Sequence, residues 1–78
     1  MPNVFEADGF HIAVLLPPRE HGPAHVHVTK AGEEISVNLE PVGLRKDYGM
    51  RPANIVKAVR LVEANVKLLV TEWRKYHG

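Results

Sequence analysis

Apolar and polar residues alternate along two stretches of the first forty residues, which is the pattern of half-buried β-strands. The first stretch consists of Val4–Glu6 and Phe10–Leu15, separated by Asp8-Gly9. The second consists of residues 24–30 and 33–40, separated by Ala31-Gly32. A pair such as Asp-Gly between alternating segments is typical of a tight hairpin turn. Residues 1–40 are therefore predicted to form two β-hairpins.

Pairing across the second turn also predicts which residues share a face of the sheet, because side chains alternate between faces along a strand. The expected partners are Val28 with Ile35 and Val26 with Val37 on one face, and His27 with Ser36 and His25 with Asn38 on the other. In the first hairpin, Phe10, Ile12 and Val14 join the valine face. We expect a helix to cover the valine face and the histidines to point outward.

The last third of the chain has the period of a helix. Its apolar residues recur at spacings of three and four: Ile55, Val59, Val62, Val66, Leu69, Trp73 and Tyr76. Such a stripe must be buried, and we expect it to pack on the chain's own sheet, with a coiled-coil partner as the alternative. Pro52 suits the first position of a helix. Residues 41–51 are predicted to be a connecting loop and residues 52–76 one long helix.

These elements predict an α+β fold in a single domain, residues 1–78. It is an antiparallel sheet of about four strands, from two hairpins, with one long C-terminal helix packed on the apolar face. The chain of 78 residues has no cysteine, so it has no disulfide bonds, which fits a reducing cytoplasm. Its first residues lack the features of a signal peptide, and no segment reaches the roughly 18 apolar residues of a membrane span. We expect a cytoplasmic protein that does not enter membranes.

The formal charge of +1 is unevenly distributed, since residues 51–78 contain six Lys and Arg against two Asp and Glu. Four of these basic residues recur along one side of the predicted helix: Lys57, Arg60, Lys67 and Arg74. Such a basic ridge is able to bind the phosphates of RNA. It is equally consistent with a solvated helix face that keeps a small protein soluble.

Three of the five histidines lie in the segment EHGPAHVHV, residues 20–28. His21, His25 and His27 are candidate zinc ligands with a water molecule in the fourth position. They are also candidate acid–base residues, because histidine titrates near neutrality. The third hypothesis is structural, with each histidine capping a loop or pairing with a carboxylate such as Glu20 or Glu40. The residues alone leave all three open.

Several motifs together resemble one bacterial family, the domain of unknown function 4160. They are Met1-Pro2 with Phe5 and Asp8-Gly9-Phe10, HGPAHVHV, Leu39-Glu40-Pro41, Tyr48-Gly49 and the helix end Trp73-Arg74-Lys75-Tyr76. The resemblance covers essentially the whole chain. It places the family's histidine motif on His21, His25 and His27 and its strand-ending acid on Glu40. The chain departs from the pattern at Ala24, where the family has a second proline, and at Met50-Arg51, where it has a helix-capping Ser or Asp.

The resemblance implies no established activity. Members of the family are small bacterial proteins, often encoded beside a second small protein of an uncharacterised family numbered 2442. The pair is described as a candidate toxin–antitoxin system in which this family supplies the toxin.

These observations together lead to an expected function and one alternative. We expect a small binding module, the toxin component of a two-gene pair, whose active surface holds His21, His25 and His27. Asn38, Glu40 and the basic ridge are expected to bind a cognate small protein and, in one version, RNA. The alternative is a histidine-dependent ribonuclease or phosphodiester hydrolase, with or without zinc. No cofactor is established beyond that zinc hypothesis, and a homo-oligomer remains open.

Overall fold

The computed structural model describes residues 3–14 and 23–77, and the side chains of residues 5–14 and 23–75. Within these residues, five strands form one antiparallel sheet in the order of the chain. The strands are β1 (Asn3–Ala7), β2 (Phe10–Ala13), β3 (His25–Lys30), β4 (Glu33–Leu39) and β5 (Val42–Asp47). Two helices follow, α1 (Pro52–Ala64) and α2 (Val66–His77). The α+β class and the antiparallel sheet are confirmed, whereas the numbers of strands and helices differ from the prediction.

Both predicted hairpins are present, and their turns have the backbone conformation that two-residue hairpins require. Asp8 and Gly9 have φ of 52° and 81°, and Ala31 and Gly32 have φ of 49° and 81°. Positive φ at both central residues belongs to the type I′ turn, whose twist matches that of the flanking strands. The four predicted partner pairs of β3 and β4 all occur in the observed register.

The predicted loop 41–51 contains a strand that the sequence pattern did not indicate. β5 pairs with β4, but between Ser36 and Val37 the pairing shifts from Lys46 to Leu44. Arg45 is therefore the extra residue of a β-bulge, which interrupts the alternation of side chains. A charged, irregular segment such as this has little strand signal of its own. It is a strand because the backbone of β4 offers it hydrogen-bonding partners.

The predicted single helix is divided at Asn65. The backbone of Asn65 has φ −120° and ψ 20°, and its amide N–H donates to the carbonyl oxygen of Val62. Its side-chain Nδ2 donates to the carbonyl oxygen of Leu61 at 2.9 Å. Asparagine favours such local hydrogen bonds over continued helix. The break allows α1 and α2 to contact different parts of the sheet.

One apolar cluster holds the sheet and the helices together. Its members on the strands include Phe10, Ile12, Val26, Val28, Ile35, Val37 and Leu39, Val14 follows β2 directly, and its helix members are Ala58, Val62, Leu69 and Trp73. The predicted helical stripe thus packs on the chain's own sheet as far as Trp73, with Val62, Leu69 and Trp73 buried and Ile55, Val59 and Val66 partly buried. The side chain of Tyr76, the last predicted member of the stripe, lies outside the described residues.

The start of α1 is stabilised from the sheet, not by a cap residue of its own. Arg51, at the N-cap position, makes no side-chain capping hydrogen bond. Instead, Oε1 of Glu33 accepts hydrogen bonds from the Arg51 amide and from Nδ2 of Asn54, both at 3.2 Å. The Asp47 carboxylate accepts from the amides of Gly49 and Met50 at 2.8 and 2.9 Å. These hydrogen bonds to the ionised carboxylates lower the pKa of Glu33 and of Asp47.

Candidate functional site

The strand histidines were expected to point outward into solvent, and this is wrong because both are buried. His25 and His27 are 1% and 6% exposed, and their neighbour Ser36 is fully buried. They do lie on the face opposite the valines, as the register predicted. Two features that the sequence pattern missed account for part of this burial. Trp73 of the separate helix α2 contacts His25, and Tyr48, just after the unpredicted strand β5, lies beside His27.

His25 is held by its own loop and by α2. Its Nδ1 atom is 2.8 Å from the carbonyl oxygen of Pro23. Because a carbonyl oxygen only accepts, Nδ1 carries the proton and donates it. The imidazole and the indole of Trp73 have ring centroids 4.9 Å apart. His25 therefore connects the start of β3 to α2.

His27 forms an acid–histidine pair with the next strand. Its Nδ1 atom lies 3.0 Å from Oε2 of Glu34, whose side chain is 41% exposed. The phenol ring of Tyr48 stacks beside the imidazole, with centroids 6.4 Å apart and planes inclined by 29°. Glu20 and Glu40 were the predicted partners; Glu20 lies outside the described residues, and the structure pairs His27 with Glu34. Glu34 is a diagonal neighbour on the same face of the sheet, a signal that the predicted register already contained.

The three-histidine site is only partly described. His21 lies outside the described residues, so the structure places two of the three candidate catalytic or zinc-binding histidines. The rings of His25 and His27 have centroids 5.7 Å apart. Within the described ranges, no three His, Cys, Asp or Glu side chains are arranged to hold a metal ion. The described residues thus do not by themselves supply the ligands of the zinc hypothesis.

The predicted binding residues Asn38 and Glu40 lie at two different places, Asn38 beside the histidines and Glu40 at α2. Asn38 is half-buried opposite His25. Glu40 is exposed at the end of β4, where its carboxylate lies 3.5 Å from Nη2 of Arg74. Glu40 and Arg74 line a depression of about 410 Å³ between β4 and α2, together with Leu39, Val66, Lys67, Val70 and Thr71. Glu40, the strand-ending acid of the family pattern, therefore pairs with a residue of α2.

The predicted basic ridge is divided by the helix break. Lys67 and Arg74 lie on α2 at the depression just described. Lys57 and Arg60 lie on α1, where they line a different depression, of about 480 Å³, with Lys30. A continuous ridge required one straight helix, and Asn65 ends that helix. Lys30 was not among the predicted binding residues.

His11 forms an acid–histidine pair on the first hairpin. His11 is half-exposed on β2, opposite Glu6 of β1. Its Nδ1 atom is 2.6 Å from the Glu6 carboxylate. The pair satisfies both side chains at the surface of the first hairpin.

Comparison with known proteins identifies the chain at the level of its family. In the described parts of the chain, neither helix has the length and apolar character needed to cross a bilayer. No curated protein matches the chain significantly, and no solved structure does so either. The family model of the domain of unknown function 4160 matches residues 9–74, which is most of the sequence. The chain therefore belongs to the family of the domain of unknown function 4160.

Proposed function

We propose that this protein is a small binding module, the toxin component of a two-gene pair, and that it binds its cognate small protein along the edge of the sheet formed by β5. The two-gene pairing is taken from the family resemblance described above. The observation that carries the choice of surface is the exposed edge at Leu44–Tyr48, next to a buried histidine pair.

The edge at β5 has features of a binding surface. Among the described residues no strand pairs with the outer side of β5, so the strand ends the sheet. Leu44 and Tyr48 are 46% and 49% exposed, which is high for large apolar side chains. Strand edges with exposed apolar residues are sites where extended segments of partners bind.

The basic residues at the β5 edge indicate that the partner is acidic. Arg45 and Lys46 are both exposed. Nη1 of Arg45 donates to Oγ of Ser36 at 3.3 Å, and Nζ of Lys46 lies 5.0 Å from the centroid of the Tyr48 ring. Both cations are thus positioned by neighbouring side chains. A partner segment that is extended, apolar at one position and acidic at the next would match this edge.

In this proposal the histidines support the surface. His27 stacks beside Tyr48 and pairs with Glu34, and His25 packs on Trp73. Both rings are almost completely buried, and the Nδ1 atom of each is already hydrogen-bonded. A hydrolase needs histidine nitrogens within reach of a substrate. The geometry of the described residues therefore supports the ribonuclease or hydrolase alternative less well than a binding module.

The test is binding of the purified cognate protein, measured by calorimetry with wild-type chain and with two charge-introducing variants. Leu44→Glu changes the β5 edge, and Leu68→Glu is its matched control, because Leu68 is similarly exposed, at 44%, on α2. We expect Leu44→Glu to weaken binding by about tenfold or more, as for an interface residue worth over 1.4 kcal/mol. Leu68→Glu should leave binding unchanged. Melting curves of both variants establish that they are folded.

Toxicity gives a second measurement. Expression of the wild-type chain alone should slow growth, and co-expression of the cognate protein should restore it for wild type but not for Leu44→Glu. Equal binding by both variants would contradict the β5 surface. Stoichiometric zinc in untagged protein, lost on His25→Ala, would instead favour the metal-dependent hydrolase.

A further inference from the structure

The second depression brings together cations from two separate parts of the chain. It lies between the turn of the first hairpin and α1, has a volume of about 480 Å³ and is lined by Asp8, Phe10, Lys30, Lys57, Arg60 and Leu61. Lys30 comes from the end of β3, whereas Lys57 and Arg60 are three residues apart on one face of α1. Among the described residues, three cations therefore line this depression, against one carboxylate.

Lys30 is fixed in place before any ligand arrives. Its Nζ atom donates to the carbonyl oxygen of Asp8 at 3.0 Å and lies 4.5 Å from the centroid of the Phe10 ring. Its Cε atom passes 3.4 Å from the position that a Cβ atom on Gly9 would occupy. An ammonium group has three N–H donors, and Asp8 takes one of them. The remaining donors of an already ordered side chain are available for a ligand at little entropic cost.

Lys57 and Arg60 are not neutralised by the described part of the chain. Among the residues that the structure describes, neither forms an ion pair, whereas Arg51, Arg74 and Lys75 each pair with a glutamate. Lys57 and Arg60 are exposed, and Leu61 beside them is half-buried. The depression is thus lined both by cations and by apolar groups, which include the buried Phe10 ring.

This combination has the chemistry of a phosphate site. Lysine binds a phosphate oxygen as a point charge, and arginine donates two parallel hydrogen bonds to it. Apolar walls reduce the local dielectric and strengthen each charge interaction. The depression is also large enough for more than a bare phosphate ion. This site differs from the basic ridge predicted from the sequence, because it includes Lys30 and contains no residue of α2.

We propose that Lys30, Lys57 and Arg60 form a binding site for the phosphate groups of a phosphate ester. The site lies near β2, β3 and α1, away from the edge strand β5. It is independent of the proposed partner surface, so either can fail without the other. A free nucleotide and the backbone of single-stranded RNA are the two sources of this chemistry that the experiment separates.

The experiment compares two double variants that remove the same charges from the two halves of the former ridge. Lys57→Gln/Arg60→Gln changes the site, and Lys67→Gln/Arg74→Gln is the control, with one lysine and one arginine neutralised on α2. Binding of pyrophosphate, of a nucleoside diphosphate and of a short single-stranded RNA is measured by calorimetry at fixed ionic strength. Thermal melting establishes that each variant is folded.

We expect the wild-type chain to bind pyrophosphate, and Lys57→Gln/Arg60→Gln to weaken that binding by about tenfold or more, as for the loss of two charged hydrogen-bond donors. The control should bind as the wild type does. Failure of the wild type to bind pyrophosphate, or equal weakening in both double variants, would overturn the proposal. If the nucleoside diphosphate binding falls in the site variant while RNA binding does not, the ligand is a free phosphate ester. If RNA binding falls with it and is the tighter of the two, the ligand is RNA.

Discussion

The imidazole of His25 packs against the indole of Trp73, with ring centroids 4.9 Å apart and planes inclined by 48°. This contact joins β3, the strand that contains His25 and His27, to α2. The sequence pattern had predicted α1 and α2 as one helix. Aromatic pairs at such distances contribute beyond the area they bury. The relationship makes the family's histidine motif part of the tertiary packing as well as a candidate site.

Trp73→Ala should destabilise the fold strongly, by about 3–5 kcal/mol in the free energy of unfolding, because it removes a large buried side chain. Urea unfolding of the purified variant measures this. Leu68→Ala, on the same helix but 44% exposed, is the control and should change stability by about 0.5 kcal/mol or less. Similar losses in both variants would mean that α2 does not pack through Trp73.

A double-mutant cycle tests the His25–Trp73 contact itself. His25→Ala, Trp73→Phe and the double variant should show a coupling free energy of about 0.5–1.5 kcal/mol. The same cycle with His11→Ala in place of His25→Ala should show no coupling, because His11 is on β2 and pairs with Glu6. Additive effects of His25→Ala and Trp73→Phe would contradict the contact.

The stability of the start of α1 should depend on acidic pH through Glu33 and Asp47. Hydrogen bonds from amides lower the pKa of both carboxyls in the folded chain. Their stabilisation is thus complete above the unfolded-state pKa, about 4, and is lost as the pH falls through the lower folded-state values. Glu33→Gln and Asp47→Asn should each reduce this acid dependence of the urea midpoint.

Glu63→Gln is the matched control for that pH series. Glu63 is exposed on α1, and among the described residues its carboxylate forms no hydrogen bond or ion pair. Its variant should keep the wild-type dependence on pH. An unchanged acid dependence in Glu33→Gln and Asp47→Asn would show that these carboxylates do not stabilise the helix start.

The second hairpin turn has a residue that does not suit its backbone. Ala31 has φ of 49°, in the left-handed region, where a non-glycine residue costs about 1–2 kcal/mol unless it is Asn or Asp. Ala31→Asn should therefore raise the free energy of unfolding by about 1 kcal/mol. Ala53→Asn, in the first turn of α1, is the control and should give no gain. A destabilised Ala31→Asn would contradict the turn geometry.

Asn65 should hold the break between α1 and α2. Asn65→Ala removes the Nδ2 hydrogen bond to the Leu61 carbonyl, and we expect a loss of about 0.5–1.5 kcal/mol in the free energy of unfolding. Thr71→Ala is a suitable control, since Thr71 donates an equivalent bond to Lys67 O within α2 from an exposed position. Thr71→Ala should lower the free energy of unfolding by less, because water is able to take over the hydrogen bond of an exposed side chain. A stabilised Asn65→Ala would indicate that a continuous helix is compatible with the fold.

The sequence by itself determined the parts of the fold that depend on local periodicity. Alternating residues and two turn dipeptides specified both hairpins and the register that pairs His25 with Asn38. A stripe at helical spacing specified a helical C-terminal third that packs on the sheet. These features follow from side-chain period and turn chemistry, which neighbouring residues contain.

The tertiary structure alone decided the features that depend on distant partners. β5 is a strand because β4 offers it a backbone edge, and α2 is separate because Asn65 satisfies carbonyls that a continuing helix would use. Those two changes place Tyr48 and Trp73 beside the histidines and divide the basic residues into two groups. Burial and convergence of side chains arise from contacts between residues far apart in sequence. No local pattern specifies such contacts, so the sequence alone could not place the histidines inside or bring Lys30 to Arg60.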